Sequence, residues 1–247
     1  MMDMISQVAF DASLNAAQSC TLVRPPHGIK AVVFDAYGTL FDVRSVARLA
    51  EELFPGRGAA LTDTWRTKQL EYSWLVSLME RYEDFWSLTE RGLRFACRVL
   101  GLPDDDDKRA RLMDEYLRLA VFEDVQPAFA RLGNLPRTIL SNGAPRMLGA
   151  VIEHNRLTGA LAHVISVDEV RVFKPSPRVY RLAPERLGMP PESIAFVSSN
   201  AWDAQGARAF GLWTCWVNRR GAALDELGFA PDAIVSSLTE LAALVAG

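Results

Sequence analysis

The sequence predicts an α/β fold in which a parallel sheet is interrupted, after its first strand, by an all-helical block. Three observations carry this reading. Val32-Val33-Phe34 is an unbroken apolar run that stops at Asp35, the pattern of a strand buried on both faces. Between residues 44 and 120 apolar positions recur every three or four residues, the period of amphipathic helices. From about residue 126 short apolar runs alternate with helical patterns, which implies βαβ units and parallel pairing.

The elements follow in order. Residues 1–29 read as an N-terminal arm: no Lys or Arg precedes Arg24 and no unbroken apolar core appears, so no secretory signal is expected. Pro25-Pro26-His27-Gly28 ends the arm just before the first strand. Within it, Val8-Ala9-Phe10-Asp11-Ala12 echoes residues 32–36 but lacks the Gly and Thr that follow, so Asp11 is read as unrelated to chemistry. The first strand ends at Asp35 and turns through Gly38 and Thr39. Helices are expected over 44–53, 61–80, 86–100 and 105–120. Thr62 and Asp63 are expected to cap the second, and Gly101-Leu102-Pro103 separates the last two. Asp104 to Asp107 places negative charge at the start of the fourth, where each well-placed carboxylate contributes ~0.3–1 kcal/mol against the helix dipole. Strands are then expected at 137–141, 162–166, 194–198, 212–217 and 233–235, with helices at 145–156, 177–187 and 202–210. Pro184 argues against continuity of the helix that contains it.

Composition excludes several classes. The 247 residues are 49% hydrophobic and 23% charged, an ordinary globular balance. A formal net charge of −3 offers no basic field to nucleic acid or to an anionic membrane. No apolar run approaches the ~20 residues of a membrane span. Cys20, Cys97 and Cys215 are odd in number and scattered, which argues against a disulfide frame or a zinc site and for a reducing compartment, the cytoplasm. His27, His154 and His163 accompany no nucleophile motif, and there is no G-x-S-x-G, Walker loop or G-x-G-x-x-G.

Four polar clusters follow four strands on one edge of the sheet. Asp35 with Thr39 is the first, and a carboxylate there serves as nucleophile, general base or metal ligand. Ser141-Asn142-Gly143 is the second, with donors for an anion and a glycine that lets backbone approach a ligand. Lys174-Pro175 is the third; a lysine near a buried carboxylate keeps it ionised and can hold an anionic substrate. Ser198-Ser199-Asn200-Ala201-Trp202-Asp203 is the fourth and brings a second carboxylate. Each has an ordinary explanation alone: turn formers, a surface charge, a first-turn acid. Four at the ends of four strands point to a site.

These residues resemble the haloacid dehalogenase superfamily and, more narrowly, the bacterial (S)-2-haloacid dehalogenases, over about residues 30–240. The motifs are Phe-Asp-Ala-Tyr-Gly-Thr-Leu-Phe-Asp at 34–42, Trp-Arg-Thr-Lys-Gln-Leu-Glu-Tyr at 65–72, Leu-Ser-Asn-Gly at 140–143, Lys-Pro-Ser-Pro-Arg-Val-Tyr at 174–180 and Ser-Ser-Asn-Ala-Trp-Asp at 198–203. The resemblance implies a Rossmann-like core, residues 30–42 and 126–247, carrying a helical cap over 43–125. It implies that Asp35 attacks C2 of a short haloacid, displaces halide with inversion and leaves an ester that water hydrolyses. Thr39, Ser141, Lys174, Tyr180, Ser198, Asn200 and Asp203 surround that reaction by similarity, with Asp203 and Lys174 orienting water and nucleophile. Arg66 and Asn142 hold the departing halide, and Tyr37, Phe85 and Trp202 complete the substrate pocket. Taken alone, Arg66 is equally an exposed charge, and the aromatic residues are ordinary packing.

Phosphatases of the same superfamily usually carry Asp-x-Asp after the first strand, the second acid protonating the leaving alcohol. Tyr37 stands at that position here, and halide needs no proton. The fourth motif retains Asp203 as its main acid, so no metal and no cofactor is expected. The partners expected are the haloacid and water, with a homodimer contact through Leu70, Trp74 and Leu78 on one helix of the cap.

Overall fold

A computed structural model describes residues 28–246; the Val8–Ala12 echo, Cys20, His27 and the rest of the arm before Gly28 lie outside the described residues. The first strand, β1 (Ala31–Phe34), is wholly buried. It is followed by four helices: α1 (Arg44–Leu53), α2 (Gly58–Leu78), α3 (Phe85–Val99) and α4 (Asp106–Glu115). Then come α5 (Val125–Leu132), β2 (Arg137–Ser141), α6 (Pro145–His154), β3 (His163–Ser166), α7 (Pro177–Leu187), β4 (Ile194–Ser198), α8 (Ala201–Phe210), β5 (Trp213–Val217), β6 (Ala233–Val235) and α9 (Leu238–Ala246).

All strand pairs are parallel, in the order β3-β2-β1-β4-β5-β6. The chain runs outward from β1 through β2 to β3, then returns to β4 on the other side. Connections therefore leave in opposite directions on the two sides of β1, which opens a crevice at the carboxyl ends of β1 and β4. The register aligns those ends: Phe34 pairs with Ile139 on one side and Val197 on the other. Helix α5 packs on α9, and α8 packs on α7, β4 and β5. Sheet faces covered in this way explain why the strands are apolar runs rather than alternating ones.

The helical insertion is built on its own contacts, α1 against α2, α2 against α3, and α4 against α1 and α3. Trp65 and Tyr116 meet edge to face, 5.3 Å between ring centroids, inside it. The second helix starts a turn before the expected cap at Thr62 and Asp63. Arg57 precedes it without a side-chain cap, and the Glu51 carboxylate accepts from the Gly56 and Gly58 amides instead. Thr62 turns its hydroxyl back to the Gly58 carbonyl, at 3.0 Å. The fourth helix ends at Glu115, short of the expected 120. Leu117 and Arg118 already bond three residues back, and the chain bends so that Val121 bridges Phe41. Its acidic start behaves as expected: Asp105 accepts from the Lys108 amide, Asp106 and Asp107 sit in the first turn, and Arg109 pairs with Asp104 and Asp106.

Helix α7 matches the expected 177–187 and runs unbroken through Pro184, the residue that weighed against its continuity. The proline lies in the final turns, so only the helical donor to the Tyr180 carbonyl is missing, and the Pro184 carbonyl accepts from left-handed Gly188. Helices α5 and α9 were not among the expected elements. Among the described residues no helix is long and apolar enough to cross a membrane.

Candidate active site

Asp35 follows directly on β1, and its amide extends the ladder by donating to the Val197 carbonyl at 2.9 Å. The chain then turns through Gly38, whose φ of +84° suits glycine and strains other residues. That turn brings Thr39 back over the strand end. The Thr39 hydroxyl donates to Asp35 Oδ2 at 3.1 Å and accepts from the Ser199 amide at 2.8 Å. Asn200 Nδ2 donates to the same oxygen at 2.9 Å, and Ser198 Oγ lies 3.5 Å from it. Asp35 Oδ1 accepts from Lys174 Nζ at 3.1 Å. One oxygen is thus pinned by several donors while the other faces a single ammonium.

Lys174 and Asp203 are both buried, and Nζ donates to Asp203 Oδ2 at 2.8 Å. The Tyr180 phenol donates to Asp203 Oδ1, also at 2.8 Å. Asn142 Oδ1 accepts from the Lys174 amide at 3.0 Å, which ties the second cluster to the third. Ser141 Oγ accepts from the Gly143 amide at 3.0 Å; the structure does not bring it into hydrogen-bond contact with Asp35. A Cβ on Gly143 would stand 2.8 Å from the Tyr37 ring, so glycine is needed there to make room for a site aromatic.

The helical insertion closes over this edge. Arg66 Nη2 on α2 lies 3.4 Å from Asn200 Oδ1. Phe85, the first residue of α3, is buried with its ring 5.8 Å from that of Phe173, next to Lys174. Trp202 meets Trp74 of α2 edge to face at 5.6 Å, so its ring contact is with the insertion. Tyr37 packs on Phe41 and Tyr116, and its buried hydroxyl has no hydrogen-bond partner among the described residues. His154 and His163, on α6 and β3, take no part.

Burial, then the neighbouring Asp35 carboxylate, raises Asp203 from the ordinary 3.8 to about 6, against the pull of Lys174. Burial alone would lower the Lys174 ammonium. The Asp203 and Asp35 charges and their hydrogen bonds outweigh it, so the net shift is upward. At neutral pH Lys174 is therefore an ammonium paired with the Asp203 carboxylate. Burial also pushes the Tyr180 phenol well up, and the Asp203 charge adds to it, so it stays a donor. Among the described residues no group of three or more His, Cys, Asp or Glu is placed to hold a metal ion.

Two groups of residues at the site escaped the sequence. Arg219, beyond β5, donates to the Thr39 carbonyl at 3.1 Å and pairs with Asp124 at 2.7 Å, clamping the turn that carries Thr39. Its place past a strand end was the available signal. Gln69 and Thr89 are fully buried inside the insertion, beside Arg66. Gln69 sits on the buried stripe Leu61, Trp65, Gln69, Ser73 and Val76, where a long polar side chain stands out.

Residues 29–211 match the haloacid dehalogenase-like hydrolase family model. An (S)-2-haloacid dehalogenase of Pseudomonas sp. (strain YL) is 52% identical over 212 residues, 85% of this chain and 91% of that one. Haloacetate dehalogenase H-2 of Moraxella sp. (strain B) is 43% identical over 220 residues, 88% of this chain and 98% of that one. The L-2-haloacid dehalogenase of Xanthobacter autotrophicus, solved with chloropropionic acid covalently bound, superposes with a TM-score of 0.84 at 44% identity, covering 89% of this chain and 99% of that one. Identity of that order along nearly whole chains, on one shared fold, makes this chain a member of the haloacid dehalogenase-like hydrolases and, within them, of the (S)-2-haloacid dehalogenases.

Proposed function

We propose that this protein hydrolyses short (S)-2-haloalkanoic acids to (R)-2-hydroxyalkanoic acids, with Asp35 as nucleophile and without a metal or cofactor. The observation that carries the reading is the asymmetry of the Asp35 carboxylate. Thr39 and Asn200 hold Oδ2, while Oδ1, with Lys174 as its one donor among the described residues, keeps electron density for attack. An Oδ1–C2 bond forms as the carbon–halogen bond breaks from the opposite side, and the halide leaves with the electron pair. Such a displacement needs three atoms nearly in line, so holding the carboxylate still is the main contribution. Charge grows on the halogen, where Arg66 and the Asn142 amide supply donors. Ser141, the partnerless Tyr37 hydroxyl and the remaining Lys174 proton bind the substrate carboxylate, and Phe85 and Trp202 wall its alkyl part. Water then attacks Asp35 Cγ, the acyl–oxygen bond breaks, and hydroxy acid, a proton and the free carboxylate result. Asp203, both of whose oxygens are engaged by Lys174 and Tyr180, acts by keeping the ammonium in place.

The names of the relatives and the covalently bound chloropropionic acid in the Xanthobacter protein support this reading. One turnover in heavy-oxygen water with enzyme in excess tests it. The peptide holding Asp35 is expected to gain one heavy oxygen, the product none, and halide release from (S)-2-chloropropionate or chloroacetate is expected to persist in excess chelator. Label in the product and none in that peptide would rule out the covalent route. Phosphomonoester hydrolysis lost to a chelator, with no halide release, would replace the reading with a phosphatase.

In this scheme residues 43–125 work as the cap over a core of residues 30–42 and 126–247. A homodimer is proposed through the outer end of α2, where Trp74, Leu75, Leu78 and Met79 are exposed together. Leu70, expected in that contact, is only half exposed to solvent. Leu78 is 82% exposed, so Leu78→Glu is expected to cost the monomer little and to shift sedimentation from dimer to monomer. An unchanged sedimentation coefficient would discard this interface.

A further inference from the structure

We infer that Gln69 is a positioning residue for Arg66, aiming its guanidinium so that displacement of halide, and not hydrolysis of the ester, depends on it; the inference rests on the dehalogenase reading above. Arg66 Nη1 donates to Gln69 Oε1 at 2.6 Å. Gln69 Nε2 donates to Thr89 Oγ1 at 2.7 Å, and the Thr89 hydroxyl donates to the Phe85 carbonyl at 2.6 Å. The direction of the Gln69 amide follows from this chain. The Thr89 proton is committed to a backbone carbonyl, so its oxygen accepts from Gln69. The amide must present NH2 to Thr89 and its oxygen to Arg66, since the reverse would set donors against donors.

Trp65 Nε1 donates to the Thr89 carbonyl at 2.7 Å and fixes α3 against α2 at the same level. On its far side Arg66 reaches Asn200 Oδ1, and Asn200 Nδ2 holds Asp35 Oδ2. A single run of polar contacts thus joins the backbone of Phe85, a pocket wall, to the nucleophile, with Arg66 in its middle. Gln69 and Thr89 are fully buried, whereas Arg66 is half-buried. A buried Gln–Thr pair between the facing sides of α2 and α3 has no packing advantage over apolar residues of the same size. Its effect is on the direction of the guanidinium.

Thr89→Val keeps the volume and removes the acceptor, which frees the Gln69 amide to turn. Rapid quench with enzyme in excess separates the two steps: halide appears with ester formation, hydroxy acid with ester hydrolysis. Ester formation is expected to slow about ten- to hundredfold in Thr89→Val, a loss in keeping with a misdirected charge-stabilising donor. Ester hydrolysis is expected to keep its rate, and Thr89→Ser, which retains the hydroxyl, to form the ester at the wild-type rate. Gln69→Glu provides a second test should the valine variant fold poorly. Its carboxylate draws Arg66 into an ion pair, and the same step is expected to slow. Unchanged ester formation in both variants, or equal slowing of both steps, would overturn the inference while leaving the dehalogenase reading intact. A wild-type enzyme that releases no halide would overturn both.

Discussion

Asp35→Asn is expected to abolish turnover, with kcat lowered by about 10⁴-fold or more, the scale seen when a covalent nucleophile is removed. The amide keeps the shape of the carboxylate but lacks its negative charge, and its NH2 would face either the Lys174 ammonium or the donors on Thr39 and Asn200. The fold should tolerate the change, because Lys174 retains Asp203 as its counter-ion at 2.8 Å. The decisive measurement is halide release by Asp35→Asn, with intact mass recorded before and after. Full activity at an unchanged amide mass would show that Asp35 is not the nucleophile, whereas activity that grows in step with deamidation to Asp would restore it.

Lys174→Met is expected to have the largest effect on stability. Lys174 is 1% exposed and lies within 3.1 Å of Asp35 and 2.8 Å of Asp203. Removing it leaves two carboxylates facing each other in the interior. Loss of one partner from a buried ion pair costs about 3–5 kcal/mol, which urea unfolding at pH 7 should register. The pH dependence has a definite sign. With its counter-charge gone, Asp203 should bind its proton still more tightly than the value of about 6 it has beside the lysine, whereas the unfolded chain returns to the ordinary 3.8. Between those values the folded variant holds a proton that the unfolded chain has released, so stability falls as pH rises through that window. The deficit should therefore be smaller at pH 5 than at pH 8. Adding Asp203→Asn to Lys174→Met should recover part of it at the higher pH. A deficit indifferent to pH and to the second substitution would mean that packing around the lysine stem, not charge, holds the centre together.

The outline of the fold was legible because its strands are buried on both faces and so read as unbroken apolar runs, from Val32-Val33-Phe34 to Ile194-Ala195-Phe196-Val197. Helix ends were read less well. The start of α2 is set by Glu51, seven residues before Gly58, and the end of α4 by the return of the chain to bridge Phe41 with Val121. Both depend on partners outside the helix, which local spacing does not contain. Pro184 shows the converse: a residue disfavoured inside helices is accepted in the last turn, where its one missing N–H interrupts a single hydrogen bond and Gly188 closes the helix on its carbonyl.

In the site, Asp35, Thr39, Asn200 and Asp203 were visible because each stands at or just past a strand end, and Lys174 because it lies in the loop beyond β3; the structure joins them by hydrogen bonds. Tyr180 needed the family pattern, since a phenol on α7 reads as packing until Asp203 Oδ1 is found 2.8 Å away. Arg219 was not read at all and Gln69 only as part of the motif at 65–72, with no role, although one lies past a strand end and the other on a buried stripe.

By itself the sequence determined which chemical groups this protein has and the edge of the sheet that presents them, because strand periodicity and strand ends are local properties of the chain. Only the tertiary structure decided their pairing. It set Lys174 between two carboxylates, bound Asp35 Oδ2 more tightly than Oδ1, and aimed Arg66 through Gln69 and Thr89. Apart from the Arg66–Gln69 bond within α2, those choices rest on hydrogen bonds between residues far apart in the chain or on separate helices, and their burial makes each unmatched donor or charge costly enough to impose one arrangement.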